Sequence, residues 1–585
     1  MTFITSLTGG RLWLLAVTVL GTLFLFANLL QAQPETNSTS IPGPGQISAD
    51  KTIPAANTPA TNSGPAPTLT IVTPSPEATN APAAEQAPAP EAVPETRTIP
   101  EGDPMQYATF GRTAALPVVP VITTRSILGA LMTLASLGGF LLYYCGLTRA
   151  KNSGHTSTLL LVGVLFGLTG YWIGGFAVQT GGIGDAHAAL IQPFLPAEQS
   201  ALDHELGPVL FGHHWGFMGS SGFFLVTDDS TRNGIAALFL IQAASLAIAI
   251  AAALGAALER ARLLAMAFCS YLIGVLVYPL LANWVWGGGW LAELGREFGL
   301  GHGFVDLGGA SVVHLTAGTL ALVIAIVLGP RHGRFGRGDA TTGIPGHNVP
   351  FIVLGSTVLL ISWMAANAFS CAGLDSAPGL QPVGPPTSVA AINTLLAATG
   401  ALVVTFAQGA WQKRRPEPAR LCRGLLGGAV SSCGCAGVID PWAAFLIGGL
   451  AGALVQFAME QLERKRIDDP VGAAAVHGAG GAWGVLATGL FANGSAGYGL
   501  NGVTGPVRGL FFGGAWHQLA AQIIGGVAGF ATIYLLGWAC VSLVQRILGN
   551  RADLADETAG LDLPETGALG YQGDVEPEET NGKSS

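Results

Sequence analysis

Two histidines sit in stretches almost free of charge, and each closes the same short phrase. "DLGGASVVHLTAG" runs from Asp306 to Gly318, and "DPVGAAAVHGAGG" runs from Asp469 to Gly481. Each phrase opens on an aspartate and carries Gly-Ala three and four residues on. His314 and His477 each follow eight residues after that aspartate. A neutral imidazole has one N–H donor and one acceptor nitrogen. Two such rings brought face to face can share one edge and offer the others to a small guest that both gives and takes a hydrogen bond. An alkali cation cannot donate, and such a lining would not repay its dehydration. A metal site is the lesser reading, because two histidines fall short of the three or four donors zinc takes.

The elements that must position these rings are membrane helices. The chain has 585 residues, 50% of them hydrophobic and 10% charged, with 83 glycines. Soluble domains carry about 25% charged residues. Apolar stretches near the ~20 residues a spanning helix needs recur across the chain. We place eleven spans near 124–146, 156–178, 234–258, 263–285, 305–329, 350–372, 387–411, 421–438, 441–460, 471–493 and 516–544. Arginines and lysines gather after the odd-numbered spans, at Arg149 and Lys151, Arg260 and Arg262, Arg331, Arg334 and Arg337, Lys413 to Arg415, Arg464 to Arg466, and Arg546. The alternate loops hold only Arg232, Arg296 and Arg508. Basic residues favour the cytoplasmic side, so the mature N-terminus is expected outside and the C-terminus inside.

The expected fold is an all-α polytopic membrane protein of eleven transmembrane helices: a 5+5 inverted repeat plus one long C-terminal helix. Inverted repeats place their substrate site near the midplane, where the halves meet. Spans five and ten then enter from opposite sides. Asp306 and Asp469 are suited to cap those helices, and Pro470 is a favoured first helical residue. Capping is the main reading for Asp469. Eight residues of helix advance about 12 Å, so both histidines are expected near mid-depth, facing each other across a pseudo-two-fold axis. Both rings are expected neutral, since leaving water disfavours charge. Ionisable residues at that depth usually mark a pathway.

Outside the spans, residues 1–32 have the layout of a secretory signal peptide, with an uncleaved anchor as the rival reading. Residues 33–120 form a Pro/Ala-rich linker, expected to be disordered and periplasmic. Residues 548–585 form a cytoplasmic tail. The formal charge of −9 comes partly from acidic tails and says little about partners. The seven cysteines show no C-x-x-C motif. Cys433-Gly-Cys435 is the nearest thing to a reactive pair, but packing thiols is the simpler reading. His213 and His214 in the second outer loop are read as loop residues before metal ligands.

With these phrases, the chain resembles the Amt/Mep/Rh ammonium transporters, nearest to the Amt branch. The likeness spans about residues 125 to 570 and includes "YYCGLTRAKN" (143–152), "NWVWGGGW" (283–290), "LLGGAVSSCGCAGVIDPWAA" (425–444) and "DDPVGAAAVHGAGGAWGVLATGLF" (468–491). A single WGGGW would be weak, but together these motifs are specific. The resemblance implies a homotrimer with one path per subunit, and the signal peptide and charge bias point to a bacterial inner membrane. Ammonium would be recruited at an outer vestibule, lose a proton and pass as ammonia between His314 and His477. It further implies that Trp286 is the outer-site aromatic acting through cation–π attraction. Ser370 would be the outer hydroxyl. Asp306 would be the buried carboxylate nearby, serving architecture or deprotonation. Trp284 and Trp290 are read as interfacial belt residues. No cofactor, metal, nucleic acid or enzymatic role is expected.

The chain departs from the family pattern in two places. Relatives stack two phenylalanines as a gate, and the matching positions here are Ser245 and Ala366, with Leu246 and Phe369 close by. An open entrance predicts weaker selectivity. The tail keeps the family's Gly-Leu-Asp core at Gly560–Asp562, implying a possible PII-type regulator. Glu565-Thr566 replaces a frequent histidine there. The alternative function is an ammonium sensor with little flux. An intramembrane enzyme lacks a nucleophile–base–oxyanion set.

Overall fold

The computed structural model describes residues 118–186, 201–210, 212–336, 343–371 and 387–571. The expected leader and almost all of the expected linker lie outside the described residues. The first helix already begins at Val118, inside the stretch assigned to the linker.

Nine helices among the described residues are long and apolar enough to cross a membrane. In chain order they are α1 (Ser126–Leu147), α2 (Ala150–Thr180), α3 (Arg232–Ala257), α4 (Leu263–Phe298, broken at its glycines 287–289), α5 (Ala310–Leu328), α6 (Val349–Ser370), α7 (Ser388–Trp411), α9 (Pro441–Arg464) and α11 (His517–Leu548). Helices also stand at the other two expected places. They are α8 (Pro418–Ser432) and α10, which runs as Ala474–Ala479 and then Gly480–Phe491. At 15 residues α8 is only about 22 Å long. Both are rich in glycine and alanine, which suit close packing more than a greasy exterior.

The directions of the helices follow from which glycines touch which backbones. Gly139 of α1 lies against Leu359 of α6, and Gly146 lies against Ile352, so these two helices run antiparallel. Gly318 of α5 lies against Gly478 of α10, and Gly481 lies against Leu315, so these too are antiparallel. By contrast α2 and α4 run parallel, with Gly163 near Ser270 and Gly175 near Gly274. So do α7 and α9, with Gly448 near Ala397 and Gly452 near Ala401. Helices one and six, and five and ten, thus cross head to tail, while the two-four and seven-nine pairs repeat one parallel arrangement. That is the pattern an inverted five-helix repeat requires. The long α11 closes the bundle against α5, where Gly537 meets Leu320.

The exterior is apolar, with Leu161, Leu165, Ile361, Phe406, Val527 and Leu535 all exposed. Tryptophans exposed at helix ends are Trp411, Trp442 and Trp516. Trp284, read from sequence as a belt residue, is instead buried and donates from its indole to the Phe217 carbonyl at 2.9 Å. Trp290 packs on it at 5.5 Å and is also turned inward. The reason lies in Gly287–Gly289. Gly288 takes φ +85°, and Gly287 and Gly289 press on Gln179 and Gly216, so the chain folds back under the 201–226 loop. That loop carries two small antiparallel ribbons, 205–206 with 218–219 and 209–210 with 213–214.

Candidate functional site

The two phrases build the same cap. Asp306 Oδ1 accepts from the Gly309 and Ala310 amides at 3.1 and 2.7 Å, and Oδ2 from Ser311 and Val312 at 2.8 and 2.9 Å. Asp469 Oδ1 accepts from Gly472 and Ala473 at 3.1 and 2.9 Å, and Oδ2 from Ala474 at 2.8 Å. A carboxylate at a helix N-terminus satisfies orphan amides and opposes the dipole. The glycine three residues on makes this wrap possible. Gly309 has φ +93° and Gly472 has φ +86°, values an L side chain rarely tolerates. The helical residues therefore start after Gly472, and Pro470 is not the first of them, contrary to the sequence expectation. It lies in the turn that the glycine completes.

Each cap is followed at once by a π-helical turn, Ala310–Leu315 and Ala474–Ala479, that contains the histidine. The His314 amide reaches back five residues to the Gly309 carbonyl, at 2.9 Å. Such turns re-aim a side chain and recur at functional positions.

Here they bring the rings together. His314 Nδ1 and His477 Nδ1 lie 3.1 Å apart, with ring centroids at 5.1 Å and planes inclined by 21°. Both rings are buried. One Nδ1 must donate and the other accept, which fixes both tautomers. The donor ring then has an acceptor at Nε2, and the acceptor ring has an N–H there. The pair thus offers a guest one acceptor and one donor.

Two aromatic rings enclose the pair. Trp363 stands edge-on to both, 5.0 Å from His314 and 5.7 Å from His477. Phe140 lies 6.0 Å from His477. The Trp363 indole N–H is buried with no hydrogen-bond partner among the described residues. The sequence reading assigned neither Trp363 nor Phe140 a role. The available signal was an aromatic far from either end of its span.

The other predicted residues fall into two groups. Trp286 joins the Asp306 cap, its indole donating to the Asp306 carbonyl at 2.6 Å and its ring lying on Gly309. Ser370 ends α6, exposed, with its hydroxyl donating to the Asn367 carbonyl of its own helix at 3.0 Å. Ser245 donates to the Ile241 carbonyl at 3.3 Å, and Ala366 is half-buried. Leu246 is wholly buried, and the Phe369 ring fills the space above Gly129 of the first helix. Asn367, unmarked in the sequence reading, donates to Thr394 and seats Gly308 against its side-chain oxygen.

All seven cysteines are buried, and none is in a disulfide. Among the described residues no group of three histidines, cysteines or carboxylates is placed to hold a metal. His213 pairs with Glu297 beside Phe298.

The Asp469 end adjoins a buried ionic network. Arg331 pairs with Asp468 at 2.8 Å and with Glu259. Arg149 reaches Glu259 at 3.0 Å, and Arg260 donates to the Asp468 carbonyl at 2.8 Å. Burial alone would raise the Glu259 carboxyl, but the guanidiniums of Arg331 and Arg149 hold it at about 2. Asp468 stands likewise at about 2, held there against burial by Arg331. The tail docks on the same face. Glu557 accepts from the His332 amide and pairs with Arg551 at 2.8 Å. Asp562 accepts from the His155 and Gly570 amides, and Glu565 from the Leu263 amide at 2.8 Å.

Comparison with known proteins agrees with this architecture. Residues 124–571 match the model of the Ammonium Transporter Family. The chain is 30% identical over 461 residues to the ammonium transporter Amt2 of Archaeoglobus fulgidus, covering 78% of this chain and 89% of that protein. It is 29% identical to an ammonium transporter of Bacillus subtilis, covering 76% and 96%. Among solved structures it is similar to a sensor Amt protein, with TM-score 0.62, 25% identity and coverage of 77% and 98%. Candida albicans Mep2 shares the fold at TM-score 0.61 and 24% identity, covering 79% and 92%. The chain belongs to the ammonium transporter family.

Proposed function

We propose that this protein moves ammonium across a bacterial inner membrane by conducting ammonia between His314 and His477. The observation that carries this reading is the 3.1 Å Nδ1–Nδ1 contact, which leaves one donor and one acceptor nitrogen for a passing molecule. Ammonia has a lone pair and N–H groups and answers both; an alkali cation can meet only the acceptor nitrogen, which does not repay its dehydration. Trp286 recruits ammonium at the outer mouth, where a cation over an indole gains about 0.5–2 kcal/mol. Asp306, with four amides on its two oxygens, acts there by holding the cap rather than as a free base. Ser370 assists at the same mouth. The ion gives its proton to water at the mouth, before the pair, and ammonia and the proton cross separately to the cytoplasm. No bond in the cargo is made or broken other than N–H, so no enzymatic role is assigned. The working unit is a homotrimer, with the tail on the cytoplasmic side as the surface for a PII-type regulator.

Proteoliposomes exposed to an ammonium step test this. The wild type is expected to give a sustained inward current, and His314→Ala or His477→Ala to reduce it at least tenfold. Undiminished current in both variants would overturn the reading. A second reading is a sensor with little flux. It is favoured by the likeness to a sensor Amt protein and by Ser245 and Ala366 at the gate positions. It predicts ammonium binding without sustained current. If the protein does conduct, the small residues at the gate predict a selectivity against potassium or methylammonium weaker than in phenylalanine-gated relatives.

A further inference from the structure

The two phrases share one more residue, and its contacts are reciprocal. Twelve residues after each aspartate stands a glycine, Gly318 in α5 and Gly481 in α10. Each is therefore four residues, one helical turn, past its own histidine. A Cβ added at Gly318 would lie 2.0 Å from the Gly478 nitrogen, 2.3 Å from its Cα and 2.7 Å from the His477 carbonyl carbon. A Cβ added at Gly481 would lie 2.5 Å from the Ala310 oxygen and 2.8 Å from the Leu315 nitrogen. Each glycine thus bears on the backbone beside the other helix's histidine. All these neighbours are main-chain atoms, so no rotamer change can make room.

We propose that Gly318 and Gly481 are positioning residues that set the separation of the two imidazoles and through it the rate of conduction. Carbon atoms in contact lie about 3.5–4.0 Å apart. A methyl at Gly318 therefore moves the helices apart by roughly 1 Å or more at the crossing. The Nδ1 contact is 3.1 Å, and hydrogen bonds of this kind fail beyond about 3.5 Å. An alanine here breaks the bond that fixes the tautomers, without touching either ring. Gly478 makes the contrast. It lies between the same helices, yet a Cβ there would meet nothing nearer than 3.6 Å. The crossing requires a glycine at two of these three positions, and the repeated phrase supplies those two.

This rests on the histidine pathway proposed above, and the test separates the two claims. Gly318→Ala, Gly481→Ala and Gly478→Ala are made in the full chain, and current is recorded against ammonium concentration. The Nδ1–Nδ1 distance is measured in a structure of each variant. Gly318→Ala is expected to lower maximal current at least tenfold with half-saturation unchanged within twofold, and to widen the pair beyond 3.5 Å. Gly481→Ala acts in the same sense and is the milder substitution, serving if Gly318→Ala does not fold. Gly478→Ala stays within twofold of wild type in both readings. An unchanged pair distance in Gly318→Ala and Gly481→Ala, or equal losses in Gly478→Ala, overturns the inference. A widened pair with undiminished current upholds the crossing and overturns the pathway instead.

Discussion

The two Asp-to-His phrases are one device in two settings. At Asp306 the cap is completed by neutral groups: four amides on the carboxylate, a Trp286 indole on the carbonyl and Asn367 against Gly308. At Asp469 three amides wrap the carboxylate, and the residue just before it, Asp468, is tied into the Arg331–Glu259 network. One end is held by hydrogen bonds and an aromatic face, the other by desolvated ion pairs. The lesson is that a repeated fold need not repeat its anchoring. Among the described residues the Asp306 carboxylate is met by backbone amides alone, while the Asp469 end adjoins the charges that join loops to tail.

The largest expected effect breaks the charged end alone. Arg331→Ala leaves Glu259 and Asp468 buried without their main partner, and such losses cost about 3–5 kcal/mol. Thermal unfolding in detergent is expected to fall accordingly. Amide exchange should quicken at Gly472–Ala474 while Gly309–Val312 keep their protection. Equal loss of protection at both caps would contradict the contrast drawn above.

Acid probes the same end without a mutation. Glu259 and Asp468 stand near 2 against ordinary values of 4.5 and 3.8. A depressed carboxyl contributes stability above its unfolded pKa and loses it as pH falls through the folded one. The network is therefore expected to be at full strength above about pH 4.5 and to weaken progressively toward pH 2. Unfolding midpoints of wild type and Arg331→Ala, compared across that window, should converge as pH falls.

A smaller effect separates the caps themselves. An asparagine keeps one acceptor oxygen and turns an NH₂ toward backbone donors. Asp306→Asn orphans two amides and Asp469→Asn one, at about 1–3 kcal/mol each. Chemical denaturation should place Asp306→Asn below Asp469→Asn by about one such increment. The smallest change is Trp286→Phe, which removes one hydrogen bond worth about 1 kcal/mol. We expect thermal stability to fall by about that amount, and half-saturating ammonium to rise several-fold because a phenyl ring attracts a cation less than an indole does, with maximal current nearly unchanged.

Much of this was legible in the sequence because membranes restrict what a sequence can mean. Apolar length marked the helices, and the spacing from aspartate to histidine was enough to expect a facing pair. The repeat order read from the two phrases agrees with the glycine contacts of four helix pairs. What stayed hidden was local. Propensity announces neither a left-handed glycine three residues into each phrase nor the π turn after it, so the helix starts and Pro470 were misjudged. Trp284 and Trp290 read as belt residues because tryptophan alone does not tell which way Gly287–Gly289 fold the chain. Arg260 and Arg331 were counted as loop charges, although both are buried. Trp363 and Phe140 had no motif to flag them, since only tertiary contact sets them beside the rings.

The sulfur content of the molecule has a practical side. Since every one of its seven thiols is buried and outside any disulfide, the native exterior presents little to a maleimide or an alkylating reagent. One cysteine introduced on a loop is then the sole accessible label. Sidedness becomes measurable without first stripping the protein of its own sulfhydryls.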